Sequence, residues 1–263
     1  MVDRLIPDLT TTGIRGAGDS ARRLIQEVNG WDVVYDFDDF TNDKSDAELQ
    51  SRYPAVKTGV DGSIDTVASG ISGEATIDVG AGTAGDNEYG GWGLGELEYK
   101  GDLNAFCVAR IKISNIATVK VEFGFTDSVA DAGAVNSLAG NTFTADDAAM
   151  FVLDTDDTAT WQAVGVKATT AATKNESGGI IAPVNGVYQT LGVFLEGNNA
   201  RFAQWDTNGK KIGETISIDA AIEGGSAVAP WLFIQNRAAS QARNVTIDYR
   251  AVGQRASKEV IDV

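Results

Sequence analysis

From Trp31 onward, apolar and polar positions alternate with a period of two over short runs, and glycine- or acid-rich stretches separate the runs. "WDVVYDFDDF" sets Val33, Tyr35 and Phe37 on one face and acids increasingly on the other. "SIDTVASGISGEATIDVG" gives short runs broken by glycine. "GELEYKGDLNAFCVARIKISNIATVKVEFGFTDS" holds three strand candidates, 94–100, 104–113 and 117–125. "AAMFVLD" pairs with "WQAVGVKATT", and "VYQTLGVFLEG" with "ARFAQWDTNGKKIGETI", where Asn208-Gly209 reads as a type I′ turn. "APWLFIQNRA" and "NVTIDYRAVGQR" are the last strong strands, and "SVADAGAVNSLAGNTFTADD" reads as a long polar loop. This spacing, with its β-branched and aromatic enrichment, predicts an all-β sandwich of antiparallel sheets. No repeat of 20–50 residues appears, which argues against propellers and solenoids.

Residues 1–30 break the pattern. "VDRLIPDLTTTGIRGAG" has no sustained period and reads as an extended arm. "DSARRLIQEVNG" reads as a short helix that Asp19 or Ser20 can cap and Gly30 can end. An arm without a core of its own needs a surface to lie on, either its own sandwich or a neighbouring subunit. Its contact residues are Leu5, Ile6, Leu9 and Ile14, with Arg22 and Arg23 on the helix. The expected organisation is therefore an arm over 1–30, a sandwich over 31–253 and a short tail over 254–263.

Composition narrows the chemistry. At 263 residues and 43% hydrophobic, the chain can bury one large β core. Its 21 basic and 37 acidic residues give 21 − 37 = −16. The arm carries four of each sign, so the deficit belongs to the sandwich. That charge repels nucleic-acid phosphate and anionic membrane, so neither is an expected partner. With no histidine, the usual general base, the Ser-His-Asp triad and most transition-metal sites are missing. The single Cys107 sits within the alternation "FCVARIKI" and reads as a small buried hydrophobe. No long apolar run and no apolar leader appear, so a soluble chain made in a cytosol is expected.

Three constellations invite a functional reading. Asp154, Asp156 and Asp157 in "FVLDTDDTATW" are a calcium candidate, yet the EF-type glycine and glutamate are missing: the sixth and twelfth positions are Ala159 and Gly165. A hairpin turn explains the three acids, and no cofactor is expected. Glu96 and Glu98 would stand roughly 6.5–7 Å apart on one strand face, within reach of glycosidase geometry. The Glu-x-Asp-x-(x)-Glu run of sandwich glucanases is absent, so an exposed strand face explains them and no enzyme is expected. Among Trp31, Trp92, Trp161, Trp205 and Trp231, core packing is the general explanation, and Trp92 and Trp205 are the candidates for stacking on a sugar. Glycine-rich 66–85 lacks the phosphate-loop pattern. Lys210 and Lys211 at a hairpin tip suit solvent or a subunit contact.

The order of the pieces resembles the concanavalin A-like (laminin G-like) jelly-roll domains of tailed-phage virion proteins. The resemblance rests on Asp38-Asp39-Phe40, "TAGDNEYGG" at 83–91 and "FGFTDS" at 123–128. It continues through "DDAAMFVLDTDDTATWQAV" at 146–164, the double strand at 187–213 and the closing 230–253. It covers about 31–253 and carries no catalytic signature. It implies a capsid decoration or cement protein at the virion surface, assembled in the host cytoplasm, whose partners are the major capsid protein and sister protomers in a homo-oligomer, trimer or dimer. The alternative it implies is a glycan-binding module of a tail or fibre, with a surface glycan as partner. Lectins of the wider fold hold metals through acids and a histidine, and no binding residue carries over to this histidine-free chain.

Overall fold

The computed structural model describes residues 33–40, 55–57, 63–66, 73–79, 88–94, 98–129, 133–168, 174–175, 180–238 and 242–255. The arm with Leu5, Ile6, Leu9, Ile14, Arg22 and Arg23, the expected helix, Trp31, Glu96 and residues 256–263 lie outside them. The described strands run in chain order as β1 (Val33–Asp38), β2 (Ala55–Lys57), β3 (Ser63–Thr66), β4 (Ala75–Asp78), β5 (Tyr89–Gly93) and β6 (Phe106–Ile113). Then come β7 (Val119–Thr126), β8 (Val135–Ser137), β9 (Thr142–Phe143), β10 (Ala148–Asp154), β11 (Thr158–Val166) and β12 (Lys174–Asn175). The last are β13 (Tyr188–Glu196), β14 (Asn199–Trp205), β15 (Lys211–Ile218), β16 (Ala229–Asn236) and β17 (Asn244–Arg255).

They form a jelly-roll sandwich of two antiparallel sheets. One sheet has eight strands in the order β15-β14-β13-β6-β17-β4-β3, with β1 also on β17; the other has seven, β12-β11-β10-β7-β16-β5-β2. The main core fills the space between them with Ile77, Trp92, Phe123, Phe151, Leu191, Phe202, Leu232 and Ile247 among others. The two sheets differ in how they meet solvent. In β6 exposure alternates strictly, with Cys107, Ala109, Ile111 and Ile113 inside. In β5, β7, β10 and β16 every residue is buried. A strand buried on both faces is one whose sheet is covered outside as well as inside.

The cover is the stretch read from sequence as a polar loop. Residues 133–147 fold back with the small β8–β9 hairpin and pack Ala134, Val135, Leu138, Phe143 and Ala145 on the outer face of the seven-stranded sheet. There they meet Met150, Val152, Val164, Trp231 and Phe233, a second core separate from the first. Tyr89, Phe233 and Trp231 form a stacked series on that face, with centroids 5.7 and 5.9 Å apart. Gly91 makes room for it: a Cβ there would stand 2.4 Å from the Trp231 ring, so the glycines of "YGGWG" serve close packing.

Local expectations fare differently. Of the strand expected at 94–100, the described residues Leu94 and 98–100 are not in a strand: β5 ends at Gly93, and Tyr99 makes an isolated bridge to Val228. The 206–210 connection is not type I′. Gly209 has φ of 77°, Asn208 has no positive φ, and the Gly209 amide donates to the Asp206 carbonyl. The Asp206 carboxylate accepts the amides of Asn208 and Lys210, which favours a type I turn closed by a left-handed glycine. In β1 Phe37 and the acids take opposite faces, as the alternation predicts. Phe37 stacks outside on Tyr249 at 6.0 Å, while Asp36 pairs at 2.5 Å with Arg250, whose side chain is buried. The last strand, read from sequence as "NVTIDYRAVGQR", forms over those residues as β17.

Candidate functional site

Charged side chains meet most densely under the 133–147 cover. Alternation along β7 sends Val121, Phe123 and Phe125 into the main core and Lys120 and Glu122 outward, where the cover seals them completely. The Glu122 carboxylate accepts the amides of Ala134 (2.8 Å) and Val135 (3.0 Å) and the Trp231 indole N–H (3.2 Å). The Lys120 ammonium stands 3.2 Å from Glu122, donates to the Val135 carbonyl at 2.5 Å and lies over the Phe233 ring at 4.9 Å. Burial pushes the Lys120 pKa down and the neighbouring Glu122 carboxylate pulls it back up. Gly133, at φ 75°, brings the backbone so near that a Cβ would stand 2.5 Å from Glu122.

A second clasp lies directly across the β7–β10 ladder, where Asp154 is the register partner of Lys120. Asp154 is fully buried and accepts both arms of Arg237, Nε at 2.9 Å and Nη2 at 2.6 Å. The same Nη2 reaches the Asn136 carbonyl, and the Leu138 amide donates to Asp154 at 3.3 Å. Both clasps end on the backbone of the cover.

Each aspartate of the trio has a partner. Asp154 is an ion-pair partner, Asp156 approaches Arg237 at 3.6 Å while 57% exposed, and Asp157 accepts from the Gln162 amide. The three acids sit at the β10–β11 hairpin turn, where Asp154 and Asp156 both face Arg237 and Asp157 faces Gln162. Among the described residues no group of three or more acids or cysteines is placed to hold a metal.

The stacking candidates are corrected as well. Trp92 is fully buried in the main core, 5.6 Å from the Phe40 ring. Trp205 lies on the outer face of the eight-stranded sheet opposite Thr190 and is 8% exposed. Its ring packs against Gly192, where a Cβ would meet it at 3.0 Å. An indole offers a sugar its face only when that face is open, and neither is. Glu98 is exposed at a turn rather than on a strand, and Glu96 lies outside the described residues. Cys107 is fully buried, and burial pushes its thiol pKa up, away from the reactive thiolate.

Sequence reasoning passed over Lys120, Glu122 and Arg237. The signal was available in "AAMFVLD" and "PWLFIQN", whose apolar runs do not alternate. Strands apolar on both faces imply a covered sheet, and charges on a covered sheet must find partners inside.

No protein-family model matches the chain, and no curated protein matches it significantly. Solved structures do. A protein of unknown function from Shewanella oneidensis MR-1 is similar at TM-score 0.62 and 14% identity, over 86% of this chain and 88% of that one. Peanut lectin is similar at TM-score 0.53 and 11% identity, over 84% and 97%. The carbohydrate recognition domain of Emp46p is similar at TM-score 0.54 and 12% identity, over 82% and 94%. The chain has the concanavalin A-like jelly-roll fold. At such identities the likeness extends to the fold alone.

Proposed function

We propose that this chain is a structural protein of a tailed-phage virion that decorates or cements the capsid exterior, with adhesion rather than catalysis as its role. The carrying observation is how the buried charges are used. Glu122, Lys120, Asp154 and Arg237, the most concentrated ionisable groups described, hold the chain's own 133–147 segment against the sheet. Polar groups engaged in this way make a rigid, closed body. A closed acidic sandwich suits display in many copies, because net charge keeps crowded copies soluble. The arm with Leu5, Ile6, Leu9 and Ile14 then supplies the grip on the major capsid protein, and weak contacts repeated over a symmetric shell add up to firm attachment.

The test is co-sedimentation of the full-length chain with emptied heads of the phage that encodes it, beside Leu9→Asp/Ile14→Asp in the same full-length chain. Saturable binding that the variant loses supports the reading. A chain that does not sediment with heads refutes it. The glycan-binding alternative has lost its two platforms, Trp92 and Trp205. Saccharide binding on a glycan array, with no head binding, would restore it.

A further inference from the structure

The two ends of the sandwich differ in a way the proposed role leaves unused. At one end, where β6 finishes and β13 begins, the turn Val184–Val187 projects with both valines exposed and Ile181 beside them. It is a fixed projection: the Gly186 amide donates to the Ile113 carbonyl, the Val187 amide to Val184, and the Asn185 side chain accepts the Ile116 amide. The β14–β15 hairpin is tied to it by Thr207, whose hydroxyl donates to the Tyr188 carbonyl, and that hairpin carries exposed Lys210 and Lys211. Among the described residues the Lys211 ammonium bonds to the Thr215 hydroxyl. Three acids of this end are engaged locally: Asp156 with Arg237, Asp157 with Gln162 and Asp206 with backbone amides.

The other end is acidic. Asp127 and Asp146 are joined by the Asp146 amide donating to Asp127, and the Glu223 amide donates to Asp147. Asp102 adjoins them through its amide, which donates to the Gly224 carbonyl. Lys167 pairs with Glu223 at 3.2 Å and Arg201 with Glu196 at 2.9 Å. Burial first, and then the nearby Asp147 and Asp146, push the Asp127 pKa up, as expected where carboxylates crowd. Beside them stands Val129, 46% exposed. The four exposed large hydrophobic side chains among the described residues thus lie at the two ends, three beside the lysines and one beside the acids.

From this polarity we infer that the chain associates with itself head to tail, the Val184–Val187 turn and the Lys210–Lys211 tip of one copy seating on the Asp102, Asp127 and Asp146 end of the next. The occupant is a second copy because the two ends match in both respects: apolar projection to exposed valine, and cations to acids. An asymmetric contact of this kind repeats around an axis and closes into a ring when the rotation allows. The contact deepens the adhesive reading by naming its protomer interface, yet it is tested on the purified chain without heads.

Sedimentation velocity of the full-length chain over a concentration series should show reversible association that weakens as salt rises, because the attraction is between opposite charges. Lys210→Glu/Lys211→Glu and Asp102→Lys/Asp146→Lys alter exposed positions and should each weaken association at least about tenfold while leaving thermal melting unchanged. Mixed together, the two reversed proteins are complementary at both contacts, reversed tip to reversed acids and native tip to native acids, so alternating association at one-to-one stoichiometry should return. A chain that stays monomeric, or association that both variants leave intact, overturns the head-to-tail contact. So does a mixture that fails to recombine. If such a monomer still sedimented with heads, the capsid reading would survive without the contact.

Discussion

Replacing Glu122 with glutamine tests the account of the buried clasp most directly. Glu122→Gln keeps size and shape, removes the negative charge, and turns one of two acceptor oxygens into a donor. The Ala134 and Val135 amides and the Trp231 indole all donate to this carboxylate, so at least one of them meets an amide N–H instead. Lys120 is left as a buried cation with the Val135 carbonyl and the Phe233 ring. Removing one member of a buried pair costs about 3–5 kcal/mol, and Glu122→Gln belongs at the upper end because both partner sets suffer. Lys120→Met should cost about 2–3 kcal/mol, since Glu122 keeps its three N–H donors. The double variant should cost less than the two together, with a coupling of about 2 kcal/mol. The assay is urea unfolding followed by tryptophan fluorescence, with Trp231 as an internal reporter. A Glu122→Gln cost below about 1 kcal/mol, or strict additivity, would refute the reasoning.

Three further outcomes follow from the same structure. Gly91→Ala drives a methyl to 2.4 Å from the Trp231 ring, which its bond to Glu122 holds in place, so a loss of about 2–3 kcal/mol is expected in urea unfolding. Arg237→Ala leaves buried Asp154 without its guanidinium and frees the Asn136 carbonyl; about 3 kcal/mol should be lost, and hydrogen exchange at the Leu138 amide should speed up before the rest of the sheet responds. Above pH about 9 the fold should weaken. Burial pushes Tyr99 up to about 12 and raises the pKa of Tyr188, Tyr249 and Cys107 as well. The unfolded chain therefore releases these protons first, and the stability they contribute is complete below the unfolded values and lost as pH rises through the folded ones. Lys120, pushed down, acts in the opposite sense as a single group. A urea midpoint unchanged between pH 8 and about 11 would contradict this balance.

The period-two alternation of β6, β7, β13 and β17, the paired runs around 154–158 and 196–199, and the glycine-marked turns identified an antiparallel sandwich before any coordinates. Those signals are local: side-chain direction alternates along a strand whatever the strand later packs on. The absence of histidine and the single cysteine likewise limited the chemistry from composition alone. Which face of each strand is covered was not local. Lys120 and Glu122 have the pattern of a solvated strand face, and only the return of 133–147 turned that face into an interior. Trp92 and Trp205 were equally ambiguous, because a tryptophan in an alternating run is a platform or a core residue according to what lies over it. Asp154 looked like part of a turn or a metal loop until Arg237, 83 residues away, came to rest on it. The gathering of Val184, Val187, Lys210 and Lys211 at one end, with Asp102, Asp127 and Asp146 at the other, depends on strand order and direction, which topology sets. Sequence determined the strands and the charge. Only the tertiary structure decided which charges are buried together and which are left to meet another surface, because burial and pairing depend on segments far apart in the chain.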